Sequence, residues 1–527
     1  MRKPILLVLL SILAMSTKAQ DISDALRYSQ TGYLGTARSL AMGNAFTALG
    51  GDLGSIGINP AGAAVSNFSQ YTITPSLSLN SSKTLYNSTG NVDANGTIKT
   101  SSHGNASLGI PNFGMVLHFN TGRVTGVKSW SLGIVTDVAS SWSANYSAGG
   151  NNSTSSYMGY LAALANDKSL TADQLGGSRY YNMSPSVWPA MVGYRSGMIS
   201  GLGNEATTYV SPAQSTTSPY LLRGTLSQTY GVVNSGQKYD AIINAGINID
   251  DRLYLGANLG TVSIIYNSDS MIGEAAVDSD AFPITLDGNS GNFKSMRFRQ
   301  VLQARGEGIY AKLGAIYLPT DGLRLGIAFR TPTINYIAER MWYSGTTDFG
   351  TFNYSEVISG DEEYYYEYKF ISPWRINVGL AYVLGTRGSL SVDYEMADYR
   401  KMRFSDKNAH DGGSWDNLNT LIKDEMRMAH ELRVGMEIRA TSKIALRAGY
   451  NLSTNPYKAY SAFKQAFSLG LGYSSEGPFF CDLAMRSTYY PSEYIYPYPT
   501  YMEGYDSPEI KLTRNLCEIA ATLGWRF

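Results

Sequence analysis

Asp240–Asp250 reads DAIINAGINID, with Ile243, Ala245, Ile247 and Ile249 on one face and Asn244, Gly246, Asn248 and Asp250 on the other. Strict period two marks a β-strand with one apolar and one polar face, because successive strand side chains point to opposite sides. The alternation recurs at 388–397, where Leu390, Val392, Tyr394 and Met396 oppose Ser389, Ser391, Asp393 and Glu395. It recurs again at 431–439, where Leu432, Val434, Met436 and Ile438 oppose Glu431, Arg433, Glu437 and Arg439. A half-buried sandwich strand also alternates. Charges repeated on one face against an almost unbroken apolar face, over about ten residues, instead favour a wall with lipid outside and water inside.

About fourteen such segments occur along the chain: 71–79, 112–120, 128–138, 240–249, 252–265, 308–317, 321–330, 371–384, 387–397, 430–440, 442–452, 466–474, 479–488 and 511–527. Short turns such as Asp250-Asp251, Pro319-Thr320 and Gly385-Thr386 alternate with long connections at 139–239, 266–307, 331–370, 398–429 and 489–510. That asymmetry is the pattern of outer-membrane barrels, and an even strand count puts both termini in the periplasm. The predicted fold is therefore an all-β membrane protein, an antiparallel outer-membrane β-barrel of about 14 strands. No run after residue 19 approaches 18 apolar residues, so a barrel is the remaining way to cross a membrane.

Composition agrees. Gly 54 and Tyr 39 are high for 527 residues, and 16% charged residues is low against about 25% in soluble proteins. Residues 1–19 read as a signal peptide, with Arg2 and Lys3 before an apolar core from Ile5 to Met15. Its removal turns a balance of 42 basic and 42 acidic residues into an excess of three acids, which suggests neither a nucleic-acid partner nor a basic membrane-surface patch. The chain closes on CEIAATLGWRF, an alternating strand ending in Phe527, the kind of terminus read by the outer-membrane assembly machinery.

Gly35–Ala64, GTARSLAMGNAFTALGGDLGSIGINPAGAA, does not fit the strand pattern. Ala37, Leu40, Ala41, Asn44, Ala45 and Ala48 follow a helical period from Thr36, with Gly50-Gly51 as the stop. A face of small side chains suits close approach to a wall in a confined space. Residues 20–67 are accordingly predicted to be a small helical and irregular plug in the lumen of a barrel formed by 68–527. Asn59-Pro60 initiates a turn within it.

The run AMGNAFTALGGDLGSIGINPAG resembles the N-terminal segment of the FadL-type outer-membrane transport family, which moves long-chain fatty acids, aromatic hydrocarbons and other hydrophobic molecules. The resemblance implies a 14-stranded barrel plugged by an N-terminal hatch, with the family's Asn-Pro-Ala motif matched at Asn59, Pro60 and Ala61 as plug and gating residues. In that family release can occur sideways through an opening in the barrel wall, whose position this sequence does not mark.

Catalytic chemistry is absent from the usual places. His103, His118, His410 and His430 lack metal-ligand spacing, Asp278, Asp280 and Asp287 lack that of a calcium loop, and no nucleophile elbow is present. No cofactor, no metal and no enzymatic activity are expected. Cys481 and Cys517 fall on the apolar face of the last two strands, nearly opposite each other if the hairpin centres near 498–499; they read as apolar-facing thiols, with a cross-strand disulfide as the alternative. The inward charges Asp393, Glu395, Glu431, Arg433, Glu437, Arg439, Arg447, Asp482, Arg486 and Glu518 are expected to pair across strands or clamp the plug, and one of the arginines is a candidate partner for a ligand carboxylate.

Two apolar stretches in the longest connection, YMGYLAALA at 157–165 and VWPAMVGYRSGMISGL at 187–202, together with Met341-Trp342-Tyr343, point to hydrophobic cargo. The candidate ligand-binding residues are Met158, Leu161, Leu164, Trp188, Met191 and Trp342, either lining a capture groove or packing as a rigid cap. The expected function is passive uptake of a hydrophobic small molecule such as a long-chain fatty acid, in contact with outer-membrane lipid. The alternative is a FadL-like barrel that docks or secretes a protein or lipoprotein partner.

Overall fold

A computed structural model describes residues 21–87, 100–202, 208–215, 221–407 and 415–527. The predicted signal peptide and His410 lie outside the described residues.

Fourteen antiparallel strands form a closed ring: β1 (Gln70–Asn87), β2 (Thr100–Asn120), β3 (Val127–Ser141), β4 (Leu226–Ile249), β5 (Leu253–Ala276), β6 (Ser295–Tyr317), β7 (Leu323–Arg330), β8 (Arg375–Val383), β9 (Gly388–Asp398), β10 (Met428–Arg439), β11 (Ile444–Ser453), β12 (Lys464–Ser474), β13 (Phe479–Tyr489) and β14 (Glu509–Arg526). Each pairs with its neighbours in sequence, and β14 closes on β1 from Gln70↔Arg526 to Asn87↔Glu509. All fourteen predicted segments are present.

The outer face is the exposed apolar one: Ile243 is 61%, Leu313 62% and Leu469 67% exposed, which only a lipid surround makes favourable. Aromatic residues bound this band. Phe119 stacks on Trp130 at 4.0 Å and Tyr71 on Trp525 at 5.2 Å near the short-turn end. On β13, Phe479 and Tyr489 share the outer face ten residues apart. That is roughly 33 Å along the strand, or about 25 Å of membrane normal at a tilt of about 40°.

Several strands run well past the predicted segments. β4 and β5 pair all the way to Leu226↔Ala276, and β6 is continued sideways by strands Ile334–Asp348, Tyr364–Ile371 and Arg403–Asp406. Much of 266–307 and 331–370, predicted as loop, is thus wall standing above the lipid. Outside the bilayer the outer face becomes polar, so the apolar alternation that reveals a strand ends before the strand does.

Asp21–Ser66 lies inside the ring, because it bonds to strands on every side of it. Gly35 N donates to Asp137 on β3 (2.9 Å), Thr47 N to Asp393 on β9 (2.7 Å) and Ala37 N to Thr522 on β14 (2.7 Å). Asn258 of β5 donates to Ile56 O (2.8 Å), Lys312 of β6 to Gly57 O (2.8 Å) and Asn451 of β11 to Gly43 O (2.7 Å). The segment starts with helix α1 (Ile22–Ser29), opened by an Asp21–Asp24 capping box that the helical period did not reveal. The helix predicted from Thr36 to Ala48 is corrected to a single short turn, α2 (Ala37–Ala41). Gly43 and Asn44 take positive φ (61° and 58°) and end it, and wall side chains take over the backbone bonding that a longer helix would have supplied internally.

β1 and β14 meet at the short-turn end, where Ser69 and Phe527 exchange backbone hydrogen bonds. α1, by contrast, lies toward the long loops, with Tyr28 against Phe370. The two cysteines are not opposed: Cys481 pairs with Leu523 and Cys517 with Ser487, an offset of six residues or about 20 Å along the strand. Both are free thiols on the outer face, and a disulfide needs Cα atoms within about 7 Å. The hairpin centre sits near residue 502 rather than 498–499, which moves the register.

Candidate functional site

The plug meets the wall at the predicted Asn59-Pro60-Ala61 motif. Asn59 is fully buried and caps a 3-10 turn, Pro60–Val65, through a bond from Ala61 N to its side-chain oxygen (3.1 Å). Pro60 suits the first position of that turn because its ring presets φ and no N–H is needed there. The Asn59 amide donates to Thr47 O within the plug (2.6 Å) and faces the main-chain oxygens of Ala315 on β6 (3.2 Å) and Ile327 on β7 (3.3 Å). Contact this close requires missing side chains on the wall. A Cβ on Gly314 would overlap the Asn59 side chain, and one on Gly326 the Thr47 carbonyl. The sequence showed small residues on the plug; the matching glycines on the wall emerge only once the strands are in register.

The charged lumen does both things expected of it. Neighbouring strands pair through Arg433–Glu395 (2.5 Å), Arg375–Glu395 (2.7 Å) and Arg486–Glu518 (2.8 Å), and Arg447 of β11 reaches across Gly472 of β12 to Asp482 of β13 (2.5 Å). Arg38 of α2 joins this system at Glu437 (2.9 Å), which also holds Arg447 (2.7 Å), so a plug cation shares a wall carboxylate. Arg433, Arg447 and Arg486 are thus already bonded to acids, while Arg439 is exposed at the rim. A ligand carboxylate would have to displace a buried ion pair to reach any of the first three, a change costing about 3–5 kcal/mol.

Above the plug, helices α3 (Tyr157–Asp167) and α4 (Trp188–Arg195) form the centre of a hydrophobic cap. Met158, Leu161, Trp188 and Met191 are buried in one cluster, with Leu164 and Trp342 packed half-buried against it. All six predicted ligand residues therefore belong to or border one packed cluster, Trp342 from the opposite strand face to Met341 and Tyr343. Glu274, which sequence reasoning missed, anchors the start of α3. Its buried carboxylate accepts from Ser156 Oγ (2.6 Å), Tyr157 N (2.7 Å) and Gln228 Nε2 (2.6 Å), where unpaired helix N–H groups favour negative charge.

An aromatic ladder connects this cap to the interior. The strand Tyr364–Ile371 turns Tyr364, Tyr366, Tyr368 and Phe370 inward, because its side chains alternate. Ring centroids step from Tyr364 to Tyr366 (6.1 Å) and on to Tyr368 (6.3 Å). At the top, Trp188 meets Tyr364 edge-on at 5.8 Å; at the bottom, Phe370 meets Tyr28 of α1 at 6.3 Å. The lower rungs belong to a second buried cluster with Tyr266, Phe404 and Trp415, and Glu339 within it accepts from Tyr28 Oη (3.0 Å) and from Tyr368 Oη. Tyr364 and Tyr366 fall within 331–370, which the sequence presents as a loop. Their shared face is visible only when the segment is known to be a strand.

Among the described residues, the wall is interrupted at the seam between β2 and β3. β2 pairs with β3 from Asn120↔Ser129 to Asn112↔Asp137 and no further, while β3 goes on with β4 through a bulge between Val138 and Ser140. Among the described residues, the edge of β2 from Thr100 to Pro111 has no ladder on that side. A narrow cleft of mixed character opens there, lined by Leu34 of the plug, Ile110, Pro111 and Val138 and equally by serines of β1, β2 and β3 and by Gln237, with free space of about 10 Å³, the room of a single water. Above it, strand Ala144–Asn152 is tied to the β1–β2 hairpin by side chains: His103 Nε2 to Ser147 Oγ (2.7 Å), Asn105 Nδ2 to Ser143 Oγ (2.7 Å) and Ser82 Oγ to Asn145 O (2.5 Å).

No family model and no curated relative matches the chain by sequence. Its structure is similar to that of a Pseudomonas aeruginosa FadL homologue, with a TM-score of 0.51 over 94% of this chain and 99% of that one at 12% identity. The Pseudomonas putida toluene transporter TodX aligns with a TM-score of 0.48 over 93% of this chain and 98% of that one, at 14% identity. A plug-filled ring of fourteen strands, matched end to end by such a structure, gives this chain the fold of the FadL-type barrels.

Proposed function

We propose that this protein is a passive outer-membrane uptake channel for hydrophobic small molecules, with its long loops outside and its short turns in the periplasm. The observation that carries the reading is the aromatic ladder, which offers a continuous apolar route from the cap to the cluster around Tyr28. Cargo partitions into the cap between α3 and α4, passes along Tyr364, Tyr366 and Tyr368, and reaches the plug. The axial way down is filled by tightly packed plug residues, whereas beyond Asn112↔Asp137 no backbone ladder joins β2 to β3 among the described residues. Exit is therefore assigned to the side, past Leu34, Ile110 and Val138, after a shift of the plug about Asn59-Pro60-Ala61. Such a route keeps an apolar solute out of water at the point of release. Uncharged hydrophobes and long-chain fatty acids both suit the route; the paired lumenal arginines favour recognition of the apolar part over the acid head.

The test is uptake by proteoliposomes of a fluorescent long-chain fatty acid and of an uncharged polyaromatic probe. Saturable uptake above empty liposomes is expected for both. In a C481S/C517S background, H103C/S147C should lose most of this uptake when oxidised and regain it on reduction. Uptake no faster than in empty liposomes would sink the channel reading.

A further inference from the structure

Just above the lipid band, one sector of the outer wall carries an unbalanced set of cations. β6 and the strands Ile334–Asp348, Tyr364–Ile371 and Arg403–Asp406 run side by side there. The last apolar row is Ile309↔Ile334↔Ile371, and Arg403 pairs with Ile371 at that same level. The next outward residues are Glu307, Tyr336 and Lys369, followed by Arg305, Ala338 and Glu367, and then Arg340 beside Tyr365. Alternation turns these side chains away from the lumen, whose face holds Ile337, Glu339, Tyr368 and Phe404.

Glu367 is engaged by Lys407 (2.5 Å) and by Tyr365 Oη (2.6 Å). Among the described residues, Arg305, Arg340, Lys369 and Arg403 make no ion pair, and Arg305, Arg340 and Arg403 are exposed. Arg305 donates to Asn267 (3.1 Å) and to main-chain oxygens, and Arg340 lies over the Tyr365 ring at 5.7 Å, so two of the four heads are pre-positioned. Glu307 is the one acid left to oppose them. At strand spacing these residues span about 15 Å across the sheet and about 20 Å along it.

We propose that this sector docks the anionic phosphate headgroup of a lipid whose acyl chains lie on Ile309, Ile334 and Ile371. The occupant follows from continuity and charge. A molecule that covers an apolar band and also meets one cation at its last row and three above it must be amphipathic with an acidic head, and Arg and Lys at that depth attract lipid phosphate. A free anion would satisfy the cations and ignore the apolar row. The inference rests on the barrel's orientation in its membrane and not on its cargo.

Wild type and R305Q/R340Q/K369Q/R403Q are reconstituted in phosphatidylcholine nanodiscs containing a minor share of phosphatidylglycerol, and retained lipid is counted by native mass spectrometry. Wild type is expected to keep phosphatidylglycerol in preference to phosphatidylcholine, and the quadruple variant to lose at least about tenfold of it. R123Q/R387Q, which neutralises exposed arginines at the other end of the barrel, should retain it. Equal retention by the quadruple variant, no headgroup preference in wild type, or full displacement by millimolar inorganic phosphate would each overturn the proposal. If the quadruple variant does not fold, R340Q and R340Q/K369Q must show a stepwise loss. Hydrophobe uptake should be unchanged in all of them, and Y366A should keep its lipid, which separates failure here from failure of the channel reading.

Discussion

The side-chain amide of Asn59 faces the carbonyl oxygen of Ala315 at 3.2 Å, linking the plug to a wall strand 256 residues later. That oxygen belongs to β6, opposite Ile327 of β7, whose oxygen the same amide also faces. One buried side chain thus spans the plug's internal turn and two wall strands. The wall keeps its own ladder without it, so Asn59 holds the plug and not the barrel.

Asn59→Ala should therefore loosen the plug while the barrel still assembles. It leaves the Thr47 carbonyl without its donor, at a cost of about 1–3 kcal/mol. Hydrogen exchange should quicken across residues 43–65 and stay slow in β6 and β7. Loss of heat-stable barrel mobility on a gel would instead make the segment a structural core.

Gly326→Val should displace the plug more strongly than Asn59→Ala, since a Cβ at 326 would meet the Thr47 carbonyl and the Ala48 backbone, which cannot swing aside. Protease cleavage within 36–65, absent in wild type, is the expected readout, together with raised ion conductance. Gly288→Val, at a loop position where an added Cβ meets no neighbour, gives a comparison without plug contact; its own effect should stay local because only its positive φ is strained.

Alternation on the strand Tyr364–Ile371 supplies an internal control. Tyr366→Ala removes an inward rung and should lower hydrophobe uptake by about fivefold, a loss on the scale of one aromatic contact of about 1 kcal/mol. Tyr365→Ala, one residue away on the outer face, should leave uptake unchanged. Equal effects from the two substitutions would remove the ladder as the route.

Deleting Phe527 should slow assembly without changing the final barrel. Its backbone exchanges hydrogen bonds with Ser69, and its ring lies 6.4 Å from Tyr71, but the β1–β14 ladder continues to Asn87↔Glu509 without it. Pulse-labelled protein should accumulate unfolded and then reach the wild-type heat-stable form. Wild-type kinetics would remove the terminal residue from any assembly signal.

Cys481 and Cys517 should give identical mobility with and without reductant. Thiol labelling in detergent should count two thiols per chain, since the register separates them by about 20 Å.

Much of this protein is decided by local alternation. Wherever a strand meets lipid on one side and a charged lumen on the other, each residue's polarity reports its face, so all fourteen wall strands, including β4 with its Ile243 and Asn244, are legible one by one. The small residues around Asn59-Pro60-Ala61 likewise announce a segment made for a confined place. The rest depends on partners far away in sequence. The helix expected up to Ala48 stops at Ala41 because Asn451 and Asp393 of the wall take its backbone bonds. Tyr364, Tyr366, Tyr368 and Phe370 become a ladder only when Ile334–Asp348 pairs with their strand, and the seam at Pro111 exists because β3 stays paired with β4 past the point, Asn112↔Asp137, where its ladder to β2 stops. Polarity patterns record which face a residue shows to solvent or lipid, a local property; register, ring-to-ring contact and the interruption of a ladder are set by closure of the barrel, which no single segment contains.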